Sequence, residues 1–294
     1  MKSGFVSIIG RPNAGKSTLL NALNGEKLAV VSDRPQTTRN TITGIYTDKN
    51  KQIVFLDTPG MHKPKTKLGE FMMKEVKDAM AAVDMVLLVA EPGHDRDNEA
   101  IIENLKDSDV PVILVINKID CFQEKENLLE MIAKYSSLMS FLEIIPISAK
   151  TGDGVALVMK AIEQRLPEGP MYFPDDMITD QPEKQIAAEM IREKALWCLD
   201  KEVPHGIAVE ISSFKENERG IIEIGATVYC EKSSHKGIII GKNGAMLKKI
   251  GSLARRDMER FFGSKVFLEL WVKVKEGWRD SDFMLKNFGY EQKK

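Results

Sequence analysis

The run Gly10-Arg11-Pro12-Asn13-Ala14-Gly15-Lys16-Ser17 constrains this chain more than any other feature. It fits the pattern GxxxxGK[ST], which has physical content only between a strand and a helix. Glycines let the backbone wrap phosphate oxygens with its N–H groups pointing inward. The helix that follows adds the partial positive charge of its first turn. The flanks comply: Phe5 to Ile9 is a short apolar strand, and residues from Lys16 to about Leu23 carry a helical pattern. The motif therefore calls for a layered α/β domain. Lys16 is expected to reach the β- and γ-phosphates and Ser17 to ligate Mg²⁺, with Gly10, Asn13, Ala14, Gly15 and Thr18 lining the phosphates.

The rest of the first half supplies that domain. Apolar runs at Gln52 to Leu56, Val86 to Ala90, Val112 to Ile116 and Ile144 to Ile147 alternate with helical patterns at 68–82, 96–106, 124–138 and 154–165. Such alternation predicts a doubly wound, mostly parallel sheet covered on both faces. Thr41 to Thr47 alternates less cleanly and suits an edge strand.

Three further motifs close strands of that sheet, where α/β folds bind their ligands. In Asp57-Thr58-Pro59-Gly60, Asp57 is placed to hold Mg²⁺ and the Gly60 N–H to sense a γ-phosphate. In Asn117-Lys118-Ile119-Asp120, the Asp120 carboxylate suits the adjacent ring N–H and exocyclic amine of guanine, a pair that adenine lacks. Asn117 would hold the base site together, and the Lys118 stem would cover the nucleotide. Ser148-Ala149-Lys150 offers backbone N–H groups to the guanine oxygen. Together these residues predict a site for GTP and GDP with Mg²⁺, with Lys16, Gly60, Asn13 and a threonine of the 36–40 stretch as the candidate catalytic set. In Gln36-Thr37-Thr38-Arg39-Asn40, either Thr37 or Thr38 would close over Mg²⁺ when the γ-phosphate is present.

After Gly60 stands Met61, where many switch GTPases carry a water-orienting glutamine. An apolar side chain cannot polarise water, so slow intrinsic hydrolysis is expected. Asn13 is open to two readings. It either caps its loop or helps hold a K⁺ ion beside the phosphates, supplying the charge that an arginine finger supplies elsewhere.

Around Leu166 the periodicity stops. Pro167, Pro170, Pro174 and Pro182 mark residues 169–183 as a linker after a first domain at 1–168. A second domain, 184–280, reads α-β-β-α-α-β, with a tail at 281–294. Its helix from about Pro182 to Lys201 carries Ile186, Met190 and Trp197 on one side. The loop Gly241-Lys242-Asn243-Gly244 lies between two helices, and the longer of these has Leu247, Ile250, Ala254 and Phe261 as its buried stripe. This α+β arrangement resembles a type II KH domain, which clamps single-stranded RNA by its sugar-phosphate backbone. Gly241, Lys242, Asn243, Gly244, Lys248 and Lys249 are the expected RNA contacts. Phe173, Trp271 and Trp278 are read as packing residues rather than base-stacking ones.

Composition narrows the classes further. The whole chain is nearly neutral, 42 basic residues against 43 acidic, yet Lys232 to Lys275 holds eleven Lys or Arg against three acidic residues. That local excess fits a nucleic-acid surface. Cys121, Cys198 and Cys230 are widely spaced and read as reduced structural thiols. No apolar run reaches membrane-span length and the first residues lack a signal-peptide pattern, so a cytoplasmic location is expected.

Gly-Arg-Pro-Asn-Ala-Gly-Lys-Ser, Asp-Thr-Pro-Gly and Asn-Lys-Ile-Asp ahead of a KH-type half resemble the bacterial Era family of GTPases over essentially the full length. Gln36-Thr37-Thr38-Arg39 and Trp278-Arg279-Asp280 also fit that family, although Asn40 stands where a histidine is frequent. The placement of Thr38 rests on this resemblance. The resemblance further implies binding to the 3′ end of small-subunit ribosomal RNA, a role in 30S subunit assembly, and peripheral association with the inner membrane face. A monomer that does not bind DNA is expected. The rival readings are a regulatory GTPase whose KH-like half docks protein or membrane, and a GTPase serving RNA modification; the latter lacks any visible second catalytic site.

Overall fold

The computed structural model describes residues 1–290 apart from Asp33, Pro35, Ala82, Asp107, Gln123 and Glu124. Ala82 and Glu124, at the ends of two expected helices, and residues 291–294 of the expected tail lie outside the described residues. Two units emerge. The first comprises Met1–Val31, Gln36–Lys63 and Met72–Asp180. The second runs from Gln181 onward and takes in the described residues of 32–35 and 64–71.

In chain order the first unit contains β1 (Lys2–Gly10), α1 (Lys16–Asn24), β2 (Ile42–Thr47), β3 (Lys51–Asp57), α2 (Lys67–Met80), β4 (Met85–Ala90), α3 (Asp95–Leu105), β5 (Val112–Ile116), α4 (Lys125–Leu138), β6 (Glu143–Pro146) and α5 (Val155–Arg165). The first turn of α2 falls in the second unit. The strands form one sheet in the order β2-β3-β1-β4-β5-β6. Only β2 runs antiparallel to its neighbour, so the expected edge strand is there. Because successive strand residues point to opposite faces, each central strand feeds two cores. Ile8, Leu87 and Val115 pack with α1 and α5 through Leu19 and Ile162. Ile9, Leu88 and Leu114 pack with Val76, Ile102 and Tyr135 on the other face. Strands buried on both sides must read as continuous apolar runs, which is why they were legible.

The stretch expected as a linker, 169–183, is held against the first unit as far as Asp180. Gln52, fully buried on β3, accepts from the N–H groups of Tyr172 and Phe173 through Oε1 (2.7 and 3.0 Å). Its Nε2 donates to Phe173 O (2.8 Å) and to Thr47 Oγ1 (3.0 Å). Further along, the Ile45 N–H donates to Ile178 O at 2.8 Å, and the Thr179 hydroxyl to Thr43 O at 2.7 Å. Prolines stop a helix here, but they leave carbonyls and side chains free to bond. The segment is a strap rather than a tether.

The second unit contains α6 (Glu183–Cys198), β7 (Ala208–Glu216), β8 (Ile222–Cys230), α7 (Ser233–Ile240), α8 (Ala245–Phe262), β9 (Val266–Val274) and α9 (Asp282–Asn287). Its sheet runs β7-β8-β9, with β7 antiparallel and β9 parallel to β8. This is the expected α-β-β-α-α-β order with one helix added. Along α8, Ile250 and Ala254 are fully buried while Leu247 and Phe261 are half-buried, and Met258 fills the gap between them. Trp197 departs from expectation. It is 53% exposed in the last turn of α6, where Ala195 and Leu196 take the burial, and the Lys194 ammonium sits 3.8 Å from its ring centre.

Trp278 is fully buried as expected, with its indole N–H donating to Gly206 O at 2.9 Å. Trp271, expected to pack, is 47% exposed on β9, and Phe173 is half-buried. The expected tail is ordered structure from 281 to 290: Met284, Leu285, Phe288 and Tyr290 are buried, and Phe288 packs 5.3 Å from the Trp278 ring centre. Its short helix escapes a periodicity reading because six residues give too few turns. Among the described residues, no helix is long and apolar enough to cross a membrane. Of the three thiols Cys230 is buried, Cys198 half-buried and Cys121 exposed.

Gln52→Leu removes four hydrogen bonds and strands two strap N–H groups, at a cost of about 1–3 kcal/mol per unsatisfied group. The expected outcome is faster protease cleavage between residues 169 and 180, read by mass spectrometry of limited digests.

Candidate functional site

The parallel register brings the strand ends level. Gly10 pairs with Val89, Ala90 with Ile116, and Ile8 with Asp57. The loops carrying the sequence motifs therefore open onto one edge of the sheet. The glycine-rich loop runs from Gly10 to Gly15 and α1 begins at Lys16. The buried Lys16 ammonium donates to Arg11 O (2.8 Å) and Gly10 O (3.2 Å). Thr18 is half-buried one turn into the helix, and Asn13 is exposed with a left-handed φ of 65°.

Ser17, Thr38 and Asp57 meet. The Ser17 hydroxyl donates to Asp57 Oδ2 at 2.6 Å and lies 2.8 Å from Thr38 Oγ1. Thr38, 7% exposed, is thus a member of the 36–40 stretch that reaches this point. Asp57 is fully buried, and its Oδ1 has no hydrogen-bond partner among the described residues. An orphaned carboxylate oxygen beside two hydroxyls is a hard-oxygen donor set, which fits Mg²⁺. Burial pushes the Asp57 carboxyl up to about 6 against the pull of Lys16. Burial likewise lowers Lys16 to about 8, opposed first by Asp57 and then by Glu91. Each charge stabilises the other in a place where neither would be comfortable alone.

The loop after β3 is pinned to β1. The Thr58 hydroxyl donates to Ile8 O at 2.8 Å, and the Met61 N–H to Gly10 O at 3.0 Å. Gly60 approaches the phosphate loop so closely that a Cβ there would stand 2.5 Å from the Pro12 backbone. The Met61 side chain packs against the apolar core instead of projecting as a polar group.

At the other end of the site, Asn117 is 3% exposed and joins two loops. Its Nδ2 donates to Ala14 O at 2.8 Å, and its Oδ1 accepts from the Ala149 N–H at 2.9 Å. The Ser148 hydroxyl donates to Asp120 Oδ1 at 2.7 Å and holds that exposed carboxyl below the ordinary carboxylate range. Asp120 therefore stays charged and aimed. The Ala149 N–H is taken by Asn117 and the Ser148 N–H by Asp153 O (2.9 Å), because the turn must satisfy its own buried backbone. Lys118 has a left-handed φ of 64°. Its ammonium pairs with Glu91, which no motif singles out and which also takes Arg11. The available signal was position alone, since Glu91 is the first residue beyond β4.

In the second unit the Gly241–Gly244 loop joins α7 to α8. Gly241 has φ 72°, and a Cβ there would meet Met246 Cβ at 2.7 Å, so the tight turn needs glycine. At Gly244 nothing lies within 4 Å of where a Cβ would be. Lys242 and Asn243 in the loop, and Lys248 and Lys249 near the start of α8, are exposed. Ile238, one turn earlier, is 50% exposed, an apolar flank that the sequence pattern did not distinguish from its buried neighbour Ile239.

Known proteins share this architecture. The family model described as a 50S ribosome-binding GTPase matches residues 5–118, and the KH domain model matches residues 202–279. The "GTPase Era" of Ruminiclostridium cellulolyticum is 58% identical across all of this chain and 99% of its own length. A crystal structure of an Aquifex aeolicus Era variant bound to GDP·AlF₄⁻ superimposes with a TM-score of 0.95 at 40% identity, covering 99% of this chain and 100% of its own. A second crystal structure, Era with MgGDPNP and nucleotides 1506–1542 of 16S ribosomal RNA, gives 0.94 at 40% identity with the same coverage.

Gly60→Ala places a methyl group against Pro12 and must push the loop off the phosphate loop. A displacement on the order of 1 Å is expected to slow GTP hydrolysis about tenfold to a hundredfold. GDP affinity, which involves no γ-phosphate, is the control, with both measured on the same preparation.

Proposed function

The chain belongs to the Era family of GTPases and hydrolyses GTP, and from that premise we propose a slow nucleotide switch that governs ribosomal RNA binding. The observation that carries the nucleotide half is the Ser17, Thr38 and Asp57 cluster. Thr38 comes from the loop after α1 and Asp57 from the end of β3, so one ion held at Ser17 would tie two separate loops to the phosphates. Ser17, Thr38 and Asp57 would hold Mg²⁺, whose charge would offset that of the β- and γ-phosphates. The chain's own groups do the rest. Lys16 and the backbone N–H groups of Gly10, Asn13, Ala14 and Gly15 hold phosphate oxygens, joined by Ser17 and Thr18 at the start of α1. The Gly60 N–H meets the γ-phosphate. Asp120 takes the guanine ring N–H and amine, Asn117 and Ser148 keep it in place, Lys118 covers the nucleotide, and Ala149 and Lys150 close the base side.

Hydrolysis is slow in this reading because Met61 turns to the core and no side chain there orients water. Asn13, exposed in the phosphate loop, would hold K⁺ and so supply part of the missing positive charge.

The RNA half rests on the loop from Gly241 to Gly244, open on the side of Gly244, with Lys242 exposed in it and Lys248 and Lys249 exposed near the start of the following helix. The related complex with 16S nucleotides 1506–1542 supports the 3′ end of small-subunit RNA as the ligand. We place the activity in 30S subunit assembly in the cytoplasm, carried out by a monomer that does not bind DNA. Peripheral contact with the inner membrane face rests on the family resemblance alone.

Filter binding of small-subunit 3′-end oligonucleotides, with GTP and GDP in parallel, tests the coupling. Tighter binding with GTP is expected, together with weakening as salt rises. Replacing both Gly241 and Gly244 with Asp sets two carboxylates against the phosphate backbone and should weaken binding more than about tenfold. Undiminished binding by that variant would leave the KH loop without the assigned role. Equal hydrolysis rates in potassium and sodium would remove K⁺ from the scheme.

A further inference from the structure

Glu91 occupies a position fixed by topology. β4 lies between β1, which leads into the phosphate loop, and β5, which leads into the Asn117 loop. The register sets Val89 beside Gly10 and Ala90 beside Ile116, so the first residue past β4 stands level with both loops. That residue is a glutamate only 6% exposed. Its Oε1 accepts from Arg11 Nη1 at 2.8 Å, and its Oε2 holds the Lys118 ammonium. The His94 ring nitrogen lies 3.8 Å from Oε1.

The backbone of Glu91 is itself held. Glu91 O accepts from Nδ2 of the fully buried Asn98 at 3.2 Å. The same amide reaches the Tyr135 hydroxyl at 2.9 Å, which donates to Asp95 Oδ1 at 3.0 Å. Arg11 has a second anchor in Asp97 Oδ2, 2.8 Å from its Nε. The carbonyls of Gly10 and Arg11 in turn receive Lys16.

We propose that Glu91 is a positioning residue for guanine nucleotide, one buried carboxylate clamping Arg11 of the phosphate loop to Lys118 of the base loop. The proposal rests on the reading of Lys118 as the side chain that covers the nucleotide. A lysine has a long flexible stem, and ordering it costs rotamer entropy each time nucleotide binds. A carboxylate that already fixes the stem lowers that cost. It also ties the phosphate side of the cleft to the base side, so that neither loop opens alone. The Glu91 carboxylate bonds Arg11 and Lys118, neither of which is assigned to the γ-phosphate, so its removal should shorten the residence of GDP and GTP alike.

The test is nucleotide release from the full chain, followed by fluorescence with labelled GDP and a labelled non-hydrolysable GTP analogue. Wild type, Glu91→Gln, Lys118→Met and the double variant are compared, with thermal melts on the same samples. Breaking one partner of a buried charge pair acts mainly on the off-rate, so Glu91→Gln should release both nucleotides at least about tenfold faster. The double variant should release them no more than about twofold faster than Lys118→Met alone, because the two changes remove one interaction. Accelerations that multiply in the double variant overturn the clamp. So does unchanged release from Glu91→Gln beside fast release from Lys118→Met, even where the melting temperature falls, since that is the signature of a fold-stabilising ion pair. Unchanged release from Lys118→Met overturns the reading of Lys118 and the clamp with it. Arg11→Met cuts the other arm while leaving Glu91 in place, and serves if Glu91→Gln does not fold. Several-fold faster release is expected there, and an unchanged rate counts against the clamp.

Discussion

The parallel pairing of β3, β1, β4 and β5 is the constraint on which the nucleotide end of the first unit depends. Hydrogen-bonded strands cannot slip by one residue without exchanging the side chains around which each of the two cores is packed. The two cores on either side of this sheet therefore lock the register, and the register places the loops. Asp57, Gly10, Glu91 and Asn117 converge because each stands at or just past the end of its own strand. None of them needs a binding partner to find the others. The low-dielectric interior beneath raises the stakes for every polar group left there, which is why Asn117, Ser17 and Glu91 each serve two partners.

The sequence made the first unit legible where chemistry and periodicity coincide. A strand buried on both faces must be apolar throughout, and a phosphate loop must be rich in glycine. Gly10 to Ser17, Asp57 to Gly60 and Asn117 to Asp120 accordingly stood out before any geometry was known. Glu91 did not, because a single acid after a strand resembles any solvated loop residue, and only β-sheet neighbours reveal that two cations face it. Nor does a tripeptide such as Ser148 to Lys150 reveal the partners its backbone finds, Asn117 for the Ala149 N–H and Asp153 for that of Ser148.

The second unit repeats the lesson with different residues. Its order of elements followed from turn residues and apolar runs, and Gly241 announced a tight bend. Trp197 and Trp271 show what periodicity leaves open. Helical or strand spacing assigns a face, but the end of a helix or the edge of a sheet can carry that face into solvent. The last ten described residues went unread because their helix is shorter than the window in which a period can be recognised. Their aromatic side chains hold them down nonetheless, through Trp278, Phe288 and Tyr290.

The strap along residues 169–180 bears on how such a protein survives at high concentration. An open sheet ends in two rows of unpaired backbone groups, and a long exposed row is a template on which a second chain can add a strand. At β2 that row is already engaged, with the Ile45 N–H committed to Ile178 and the Thr43 carbonyl to Thr179. At the opposite edge β6 is four residues long and ends in Pro146, too short and too interrupted to recruit a neighbour. The stretch that leads out of the first unit thus doubles as a guard against aggregation, built from residues the chain needs there in any case.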